Sequence, residues 1–332
     1  MESIVRTRNH SPCVTRENQT LVTEFLLLGF GDLEDQWFFP FLLFLVIYIA
    51  TMAGNILIVV LVITDHHLHT PMYFFLANLS CLESCYSSSI LPLMLANLSK
   101  GGQGTISVTG CMVQYYFFYY LFGSSGASEC YLLAAMSYDR YVAICKPLLY
   151  RTLMNGQVCL RLIAGSCING FLAANIIVYL MHQLRFCSSH EINHFFCDIN
   201  SIIKQACNDT HMLELLLICF AGLFSLPPFL LTLASYVSIL SVILRIPSRS
   251  GRKKAFSTCS SHLIVVFIFY STIMIVYTLP KTEALGDLKK VFSLFYTVLT
   301  PFLNPLIYSL RNKEVKEAFR KLISRLGTFS QT

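Results

Sequence analysis

The sequence contains few charged residues. Asp, Glu, Lys and Arg together make up 13% of its 332 residues, about half of their usual share in soluble proteins. Hydrophobic residues make up 55%, and the mean hydropathy is +0.61. A soluble domain of this length needs more polar surface than that. The composition therefore excludes a soluble protein and predicts a membrane protein.

The signatures of several functional classes are missing as well. We find no nucleophile with its base, no cluster with metal-ligand spacing and no phosphate-binding glycine loop, so we do not expect an enzyme. The net charge of +6 lies largely in short segments between apolar runs, which indicates membrane orientation and cytosolic partners rather than nucleic acid. No apolar signal-peptide core precedes the first long segment, so the first helix is expected to drive insertion.

Seven apolar segments are long enough to cross a hydrocarbon core of ~30 Å as helices. They lie at 37–63, 72–96, 111–144, 157–182, 211–244, 258–279 and 289–310. The linkers between them leave no room for a second soluble domain. The sequence thus predicts an all-α membrane protein with an N-terminal tail over 1–36, a seven-transmembrane helix bundle over 37–310 and a tail over 311–332.

The basic residues predict the orientation of the bundle. Most of the 24 Lys and Arg residues lie in the loops and tail that face one side if the N-terminus is outside. Because positive residues favour the cytoplasmic side, we expect a multi-pass plasma-membrane protein with an extracellular N-terminus and a cytoplasmic C-terminus. The sequons at Asn18 and Asn9 then face outward, and Asn18 is the better glycosylation candidate because Pro12 weakens the other.

The C-terminal tail carries one apolar stripe opposite its basic residues. The stripe consists of Val315, Phe319, Leu322, Ile323 and Leu326. A helix with this pattern lies in the membrane interface, with its apolar face in the lipid. We therefore predict an amphipathic interfacial helix on the inner leaflet.

Ionisable residues within the apolar segments indicate function. Asp139 and Arg140 close the third segment, although an arginine at a cytosolic helix end is also favoured by orientation alone. Glu83 and Glu129 lie at mid-membrane depth by helix counting. A carboxylate at a helix centre costs about 2.5–3.5 kcal/mol to insert, so we expect neither residue to be unpaired and without function.

Four stretches together resemble a known family. They are LHTPMYFFLANLS at 68–80, MSYDRYVAIC at 136–145, KAFSTCSSHL at 254–263 and PFLNPLIYSLRN at 301–312. These motifs are similar to those of olfactory receptors, a branch of the rhodopsin-like G-protein-coupled receptors. The resemblance runs from about Asn18 to Leu322. It implies an odorant receptor that activates a heterotrimeric stimulatory G protein and raises cyclic AMP.

The resemblance also implies which residues switch the receptor. Arg140 is expected to be held by Asp139 at rest and to meet the G protein after the sixth helix moves. His262 suits a pH switch, but we expect it instead to make a local hydrogen bond at its helix end. The full switch set is Asp139, Arg140, Tyr141, Tyr236, Asn304, Pro305 and Tyr308.

Apart from Cys13, which is left over in the N-terminal tail, four of the 13 cysteines fall on the predicted outer side, where oxidising conditions favour disulfides. They are Cys111, Cys187, Cys197 and Cys207, and their spacing leaves three pairings open. The resemblance implies a bridge from Cys111 to Cys197, which leaves Cys187 with Cys207. Zinc is a poor alternative because the ligand spacing is not tight.

The expected ligand is a small, mostly apolar molecule held in the bundle by one or two hydrogen bonds. The third segment has no outer Asp to pair with an amine, and Val298 stands where an opsin needs lysine. Tyr277 is the expected polar anchor. The predicted ligand-binding set is Phe118, Phe122, Gly126, Phe220, Phe224, Ile273, Tyr277 and Thr297.

The two carboxylates predict an ion site. The resemblance implies that Glu83 and Glu129 share a sodium ion or a proton that stabilises the resting state. The alternative is that they are protonated and hydrogen-bonded to Ser or Asn neighbours. We expect no other cofactor.

Two features depart from the family. The interval from Cys111 to Arg140 is about one helical turn longer than usual, which predicts a bulge or a higher position of Cys111. Cys167 replaces a customary Trp, which predicts a less stable fold or a site open to lipid or sterol. The alternatives are therefore a receptor-like protein impaired by these changes, or a transporter or channel, although we see no internal repeats.

Overall fold

A computed structural model of the chain describes residues 23–116, 125–186, 190–278 and 286–329. Long helices dominate this part of the molecule. The helices are α1 (Phe38–Thr64), α2 (Pro71–Leu98), α3 (Val108–Tyr116), α4 (Ser125–Cys145), α5 (Tyr150–Leu153), α6 (Gly156–Met181), α7 (Ile199–Ile203), α8 (His211–Arg245), α9 (Arg249–Thr278), α10 (Gly286–Leu294), α11 (Thr300–Arg311) and α12 (Lys313–Phe329). A π turn at Phe295–Leu299 joins α10 to α11.

The helices fit the predicted membrane bundle. Among the described residues, five stretches are long and apolar enough to span a membrane: α1, α2, α6, α8 and Leu288–Ser309. Helix α9 makes a sixth if its two parts, bent by 48°, form one span. The third predicted span corresponds to α3 and α4, with residues 117–124 outside the described part. The prediction of an all-α membrane protein is confirmed, and large apolar side chains such as Phe39 and Leu244 face outward, as lipid contact requires.

Local chemistry explains where several helices begin. Pro71 opens α2 at a position where a backbone N–H would have no partner. The Asn155 side chain caps α6 by accepting from the Val158 N–H at 3.0 Å. Helix α9 begins at Arg249, well before the predicted sixth segment at 258–279. Lys and Arg are good helix formers, and the Ser248 hydroxyl accepts from the Gly251 N–H at 3.2 Å.

Helix α4 lies at the centre of the bundle and packs against α2, α6, α8 and α9. Helix α1 packs against α11 through a glycine contact. A Cβ atom at Gly54 would lie 3.0 Å from Pro305, so only glycine permits this approach without displacement. The neighbouring Asn55 amide donates to the Pro301 carbonyl at 3.1 Å. These two residues therefore serve interhelical packing.

A small sheet covers the end of the bundle that holds Cys111, which we call the disulfide end. Its strands are β1 (Glu24–Leu27), β2 (Gly104–Ser107) and β3 (Glu191–Ile192), with β1 in the middle. Strand β1 is antiparallel to β2 and parallel to β3. Phe25 and Leu27 of β1 are fully buried, so the segment before the first helix is part of the folded core.

Helix α12 lies at the opposite end, which we call the Arg140 end. Val315 and Ala318 are buried against the main core, whereas Phe319 and Ile323 are exposed. The predicted apolar stripe therefore makes two kinds of contact. One side docks on the bundle, and the other is free to face lipid.

Candidate functional site

The end of α4 places Asp139 and Arg140 side by side but does not join them tightly. Asp139 is 1% exposed and accepts a hydrogen bond of 2.8 Å from the Tyr150 hydroxyl. The Arg140 Nε lies 3.9 Å from the Asp139 carboxylate and has no hydrogen-bond partner among the described residues. The main partner of Asp139 is therefore Tyr150 of α5, and Arg140 is only loosely held.

Tyr150 was missed by sequence reasoning. It lies outside the apolar segments, and only the turn at Pro147–Leu149 brings it back to α4. Burial raises the pKa of Tyr150 above its usual range, and the nearby Asp139 carboxylate adds to the effect. The phenol therefore stays protonated and remains a donor to Asp139 at physiological pH.

Other predicted switch residues surround Arg140. Tyr236 and His262 are buried and form a 2.6 Å hydrogen bond between α8 and α9, so the expected local bond of His262 was wrong. Helix periodicity alone could not reveal this contact, because it depends on how two helices pack. Tyr308 is also buried, and Arg140 is close enough to interact electrostatically with all three side chains. Tyr141 differs, because its ring faces the Lys146 ammonium at 5.7 Å.

A hydrogen-bonded clamp joins α2 to α12 at the same end. The buried Tyr73 hydroxyl donates to the Glu314 carboxylate at 2.5 Å and accepts from the Asn312 amide at 2.7 Å. Asn312 also accepts from the Glu314 N–H at 2.9 Å, which caps the start of α12. The sequence motifs contain Tyr73 and Asn312, and Glu314 lies two residues beyond the last motif, but nothing in their spacing predicts the clamp.

A second contact secures α12 to the loop between α1 and α2. Asp65 accepts from the His67 N–H at 3.1 Å and forms an ion pair of 3.2 Å with Lys321. The His67 N–H bond is the main reason why the pKa of Asp65 falls to about 2. Asp65 is thus charged at physiological pH and remains paired with α12.

The two mid-membrane carboxylates are buried close to one another. The Asn304 amide donates a short hydrogen bond to Glu83, and the two carboxyl groups are near enough to interact electrostatically. One oxygen of Glu83 and one of Glu129 are buried without a hydrogen-bond partner among the described residues. The Asn55 side-chain oxygen is likewise buried and has no hydrogen-bond partner among the described residues. Such oxygen atoms suit a hard cation or a proton.

Pro305 lies one residue beyond Asn304, where it contacts Gly54.

Half of the predicted ligand-binding set can be placed in detail. Phe220 and Phe224 stack on α8 with ring centroids 6.0 Å apart, and Ile273 of α9 packs beside the main core. Thr297 of the π turn is fully buried and donates to the Ser293 carbonyl at 2.7 Å, so its donor is already used. Helix α9 packs against both α8 and the π turn, which brings these elements together.

The remaining predicted residues are less fully described. Gly126 belongs to α4 and Tyr277 to α9. Outside the described residues lie Phe118, Phe122, Cys187, Asn9 and Asn18.

The disulfide end forms a lid fixed by Cys111 and Cys197, which the structure joins in a disulfide with a Cα–Cα distance of 5.7 Å. Gln114 reinforces it by donating to the Ser89 carbonyl at 3.0 Å and accepting from the Cys197 N–H at 3.4 Å. The longer interval after Cys111 therefore does not prevent the bridge. Cys207 also forms a disulfide, and its predicted partner Cys187 lies outside the described part of the chain.

His194 is buried inside this lid. The Ser293 hydroxyl donates to the Lys290 carbonyl at 2.6 Å and lies 3.1 Å from His194 Nε2, which therefore acts as the donor to Ser293. Burial lowers the pKa of His194 below its ordinary value of 6.5; the nearby Asp198 opposes this shift and Lys290 adds to it. The imidazole is thus neutral in the folded lid.

Cys167 is exposed on α6 rather than buried in the core. The missing Trp surface therefore belongs to the outer face of the bundle. The departure removes contact area from that outer face rather than from the central packing around α4.

Comparison with known proteins agrees with these features. A family model described as olfactory receptor matches residues 44–325. The mouse (Mus musculus) protein "Olfactory receptor 5AP2" is 46% identical over 310 residues, which cover 93% of this chain and 96% of that protein. The human (Homo sapiens) protein "Olfactory receptor 5G3" is 47% identical over 309 residues, which cover 93% and 97% respectively.

Proposed function

Because this chain belongs to the olfactory receptor family, we propose that it binds a small, mostly apolar odorant within the helix bundle and activates a stimulatory G protein that raises cyclic AMP. At the coarser level it is an odorant-sensing G-protein-coupled receptor and a multi-pass membrane protein. Like other members of the family, it is not an enzyme.

The observation that best supports signalling is the environment of Arg140. Its side chain is 17% exposed, has no close hydrogen-bonded acid among the described residues and lies near Tyr236, His262 and Tyr308. A cation held this loosely between α4, α8, α9 and α11 can change partners when these helices shift. We propose that it meets the G protein after such a shift.

The test is a cyclic AMP assay in cells against a broad odorant panel. Arg140→Ala should reach the surface normally but lose the odorant response. Arg161→Ala, which removes an exposed arginine from α6, serves as the matched control and should respond normally. Full signalling by Arg140→Ala would leave only membrane orientation as the role of this arginine.

The proposed odorant site lies between α4, α8, α9 and the π turn. Phe118, Phe122 and Gly126 would form one wall, and Phe220, Phe224 and Ile273 another. Since the Thr297 hydroxyl is already bonded within its helix, the Tyr277 hydroxyl is the better polar anchor. Aromatic and aliphatic walls with a single anchor suit a small, weakly polar molecule.

We also propose that Glu83 and Glu129 share a sodium ion or a proton in the resting receptor. Support comes from the buried oxygen atoms of Glu83, Glu129 and Asn55 that have no partner among the described residues. Glu129→Gln should change the basal cyclic AMP level and abolish any sodium dependence of agonist potency. If neither quantity changes in a well-expressed mutant, the carboxyl groups are structural hydrogen-bonding groups.

The proposed setting is the plasma membrane, with the disulfide end outside and α12 on inner-leaflet lipid. The disulfide supports an oxidising environment at that end. Glycosidase treatment of the surface receptor should increase its gel mobility, and Asn18→Gln should remove most of this shift. An epitope tag at the N-terminus that antibody detects only after permeabilisation would overturn this orientation.

A further inference from the structure

The loop between α1 and α2 carries three histidines on one short turn. His66–Leu68 form a 3₁₀ turn, and the His69 N–H closes it by donating to the His66 carbonyl at 3.1 Å. Because a 3₁₀ helix has three residues per turn, side chains three positions apart stand on the same side. His66 and His69 therefore face one another. His67 points elsewhere, with its Nδ1 2.9 Å from the Asp65 carboxylate.

The imidazoles of His66 and His69 meet at their nitrogen atoms. The two Nδ1 atoms lie 3.3 Å apart, and the ring planes are nearly perpendicular, at 80°. That separation is longer than the ~2.9–3.0 Å usual for an N–H donor and its acceptor. It matches a metal site better, because two nitrogens bound at about 2.0–2.1 Å to a tetrahedral zinc ion lie about 3.3–3.4 Å apart. The pair thus has the spacing of two ligands of one ion.

The turn holds the two rings in place without an ion. Leu68, between the two histidines, is 1% exposed and belongs to the main core. Asp65 accepts from the His67 N–H through its side chain at 3.1 Å and from the Leu68 N–H through its carbonyl at 2.9 Å. Ligands fixed in this way lose little freedom when an ion binds. His66 and His69 are both exposed, so an ion can reach them from solvent.

We propose that His66 and His69 together bind a divalent transition-metal ion of the zinc class, which prefers imidazole ligands. In the hydrogen-bonded pair, one Nδ1 carries a proton. When the ion binds, that ring carries its proton on Nε2 instead, and water at the exposed ring exchanges it. The other coordination positions belong to water, because no group of three or more His, Cys, Asp or Glu in the described part of the chain could hold an ion.

Zinc is the probe, added to the full-length receptor in lipid nanodiscs, and the readout is backbone hydrogen exchange over residues 65–70. This readout is local, so zinc bound to thiols elsewhere does not enter it. An ion that binds only the closed turn slows exchange roughly tenfold when free zinc is about ten times its dissociation constant. Magnesium, which prefers oxygen ligands, should have no effect.

Three variants assign the ligands. His66→Gln and His69→Gln should each abolish the slowing, because a single imidazole holds the ion far more weakly than a pair. His67→Gln is the matched control from the same turn and should keep the slowing, since its ring faces Asp65. Each variant is compared with and without zinc, so that a change in the stability of the turn itself cancels.

The proposal is overturned if zinc leaves the exchange of the wild-type turn unchanged or if magnesium slows it equally. It is also overturned if either His66→Gln or His69→Gln keeps the full effect, or if the effect depends on His67 instead of the pair. The test does not depend on odorant signalling, because a receptor that fails the cyclic AMP assay can still bind zinc. Since the turn packs against α12, a bound ion would stabilise the loop on which that helix rests.

Discussion

Tyr73→Phe tests whether the clamp between α2 and α12 holds α12 on the bundle. The substitution keeps the buried ring and removes only the hydroxyl, which donates to Glu314 and accepts from Asn312. The aromatic packing in the main core should therefore remain. Any loosening of α12 can then be assigned to the two lost hydrogen bonds.

The size of the effect follows from the type of bond. A hydrogen bond to a charged group contributes about 1.5–3 kcal/mol, and a neutral one about 0.5–1.5 kcal/mol. Glu314 is exposed, so its carboxylate regains water when the bond is lost, which reduces the net cost. We therefore expect a total loss of about 1.5–3 kcal/mol. This corresponds to a roughly ten- to hundredfold larger population in which the first turn of α12 is open.

Hydrogen exchange of α12 in nanodiscs measures that population, since exchange in a fast-closing segment follows its opening free energy. Glu314→Gln keeps an acceptor but loses the charge, so its exchange should lie between wild type and Tyr73→Phe. Tyr179→Phe, which removes a hydroxyl from an exposed ring on α6, is the matched control. Unchanged exchange of α12 in Tyr73→Phe would refute the clamp.

Three other predictions follow from residues already placed. Neutral, buried His194 favours the folded state above pH ~6.5, and this stability is lost as the pH falls below that value because the unfolded chain then binds more protons. His194→Gln should flatten the acid side of a plot of thermal midpoint against pH. An unchanged slope would exclude His194 as a source of the acid sensitivity. Gly102→Ala should sharply reduce surface expression because its Cβ would lie 2.5 Å from the Gly31 oxygen, whereas Gly156→Ala, which has open space around it, should be tolerated. Equal surface expression of the two variants would contradict the clash. Tyr277→Phe should weaken odorants that accept a hydrogen bond by up to roughly tenfold and spare hydrocarbons; an equal shift in both classes would mean that Tyr277 only packs.

The membrane helices could be predicted from the sequence because each carries its own signal. An apolar run of sufficient length predicts a span wherever it packs, so the bounds of α1 and α8 agree closely with the predicted segments. The contact between Gly54 and α11 carries a weaker signal, since a small residue beside an amide indicates close helix packing but does not name the partner helix.

The missed features depend on contacts between distant segments. Strand β1 is short and pairs with residues far along the chain, so its local pattern carries little information. Tyr150 reaches Asp139 only through a turn, and His262 finds Tyr236 on another helix. In each case the chemistry of the residue was visible in the sequence, but its partner was not.

The parallel pairing of β1 with β3 sets an order of events during synthesis. Leu26 cannot pair with Glu191 until the ribosome has made the chain between them and several helices have entered the membrane. At about 5–20 residues per second, that delay is roughly ten to thirty seconds. During this interval the edge of the first-made strand is open to wrong partners. Substitutions that weaken β1 should therefore reduce the yield of folded receptor more than the thermal stability of the molecules that complete folding.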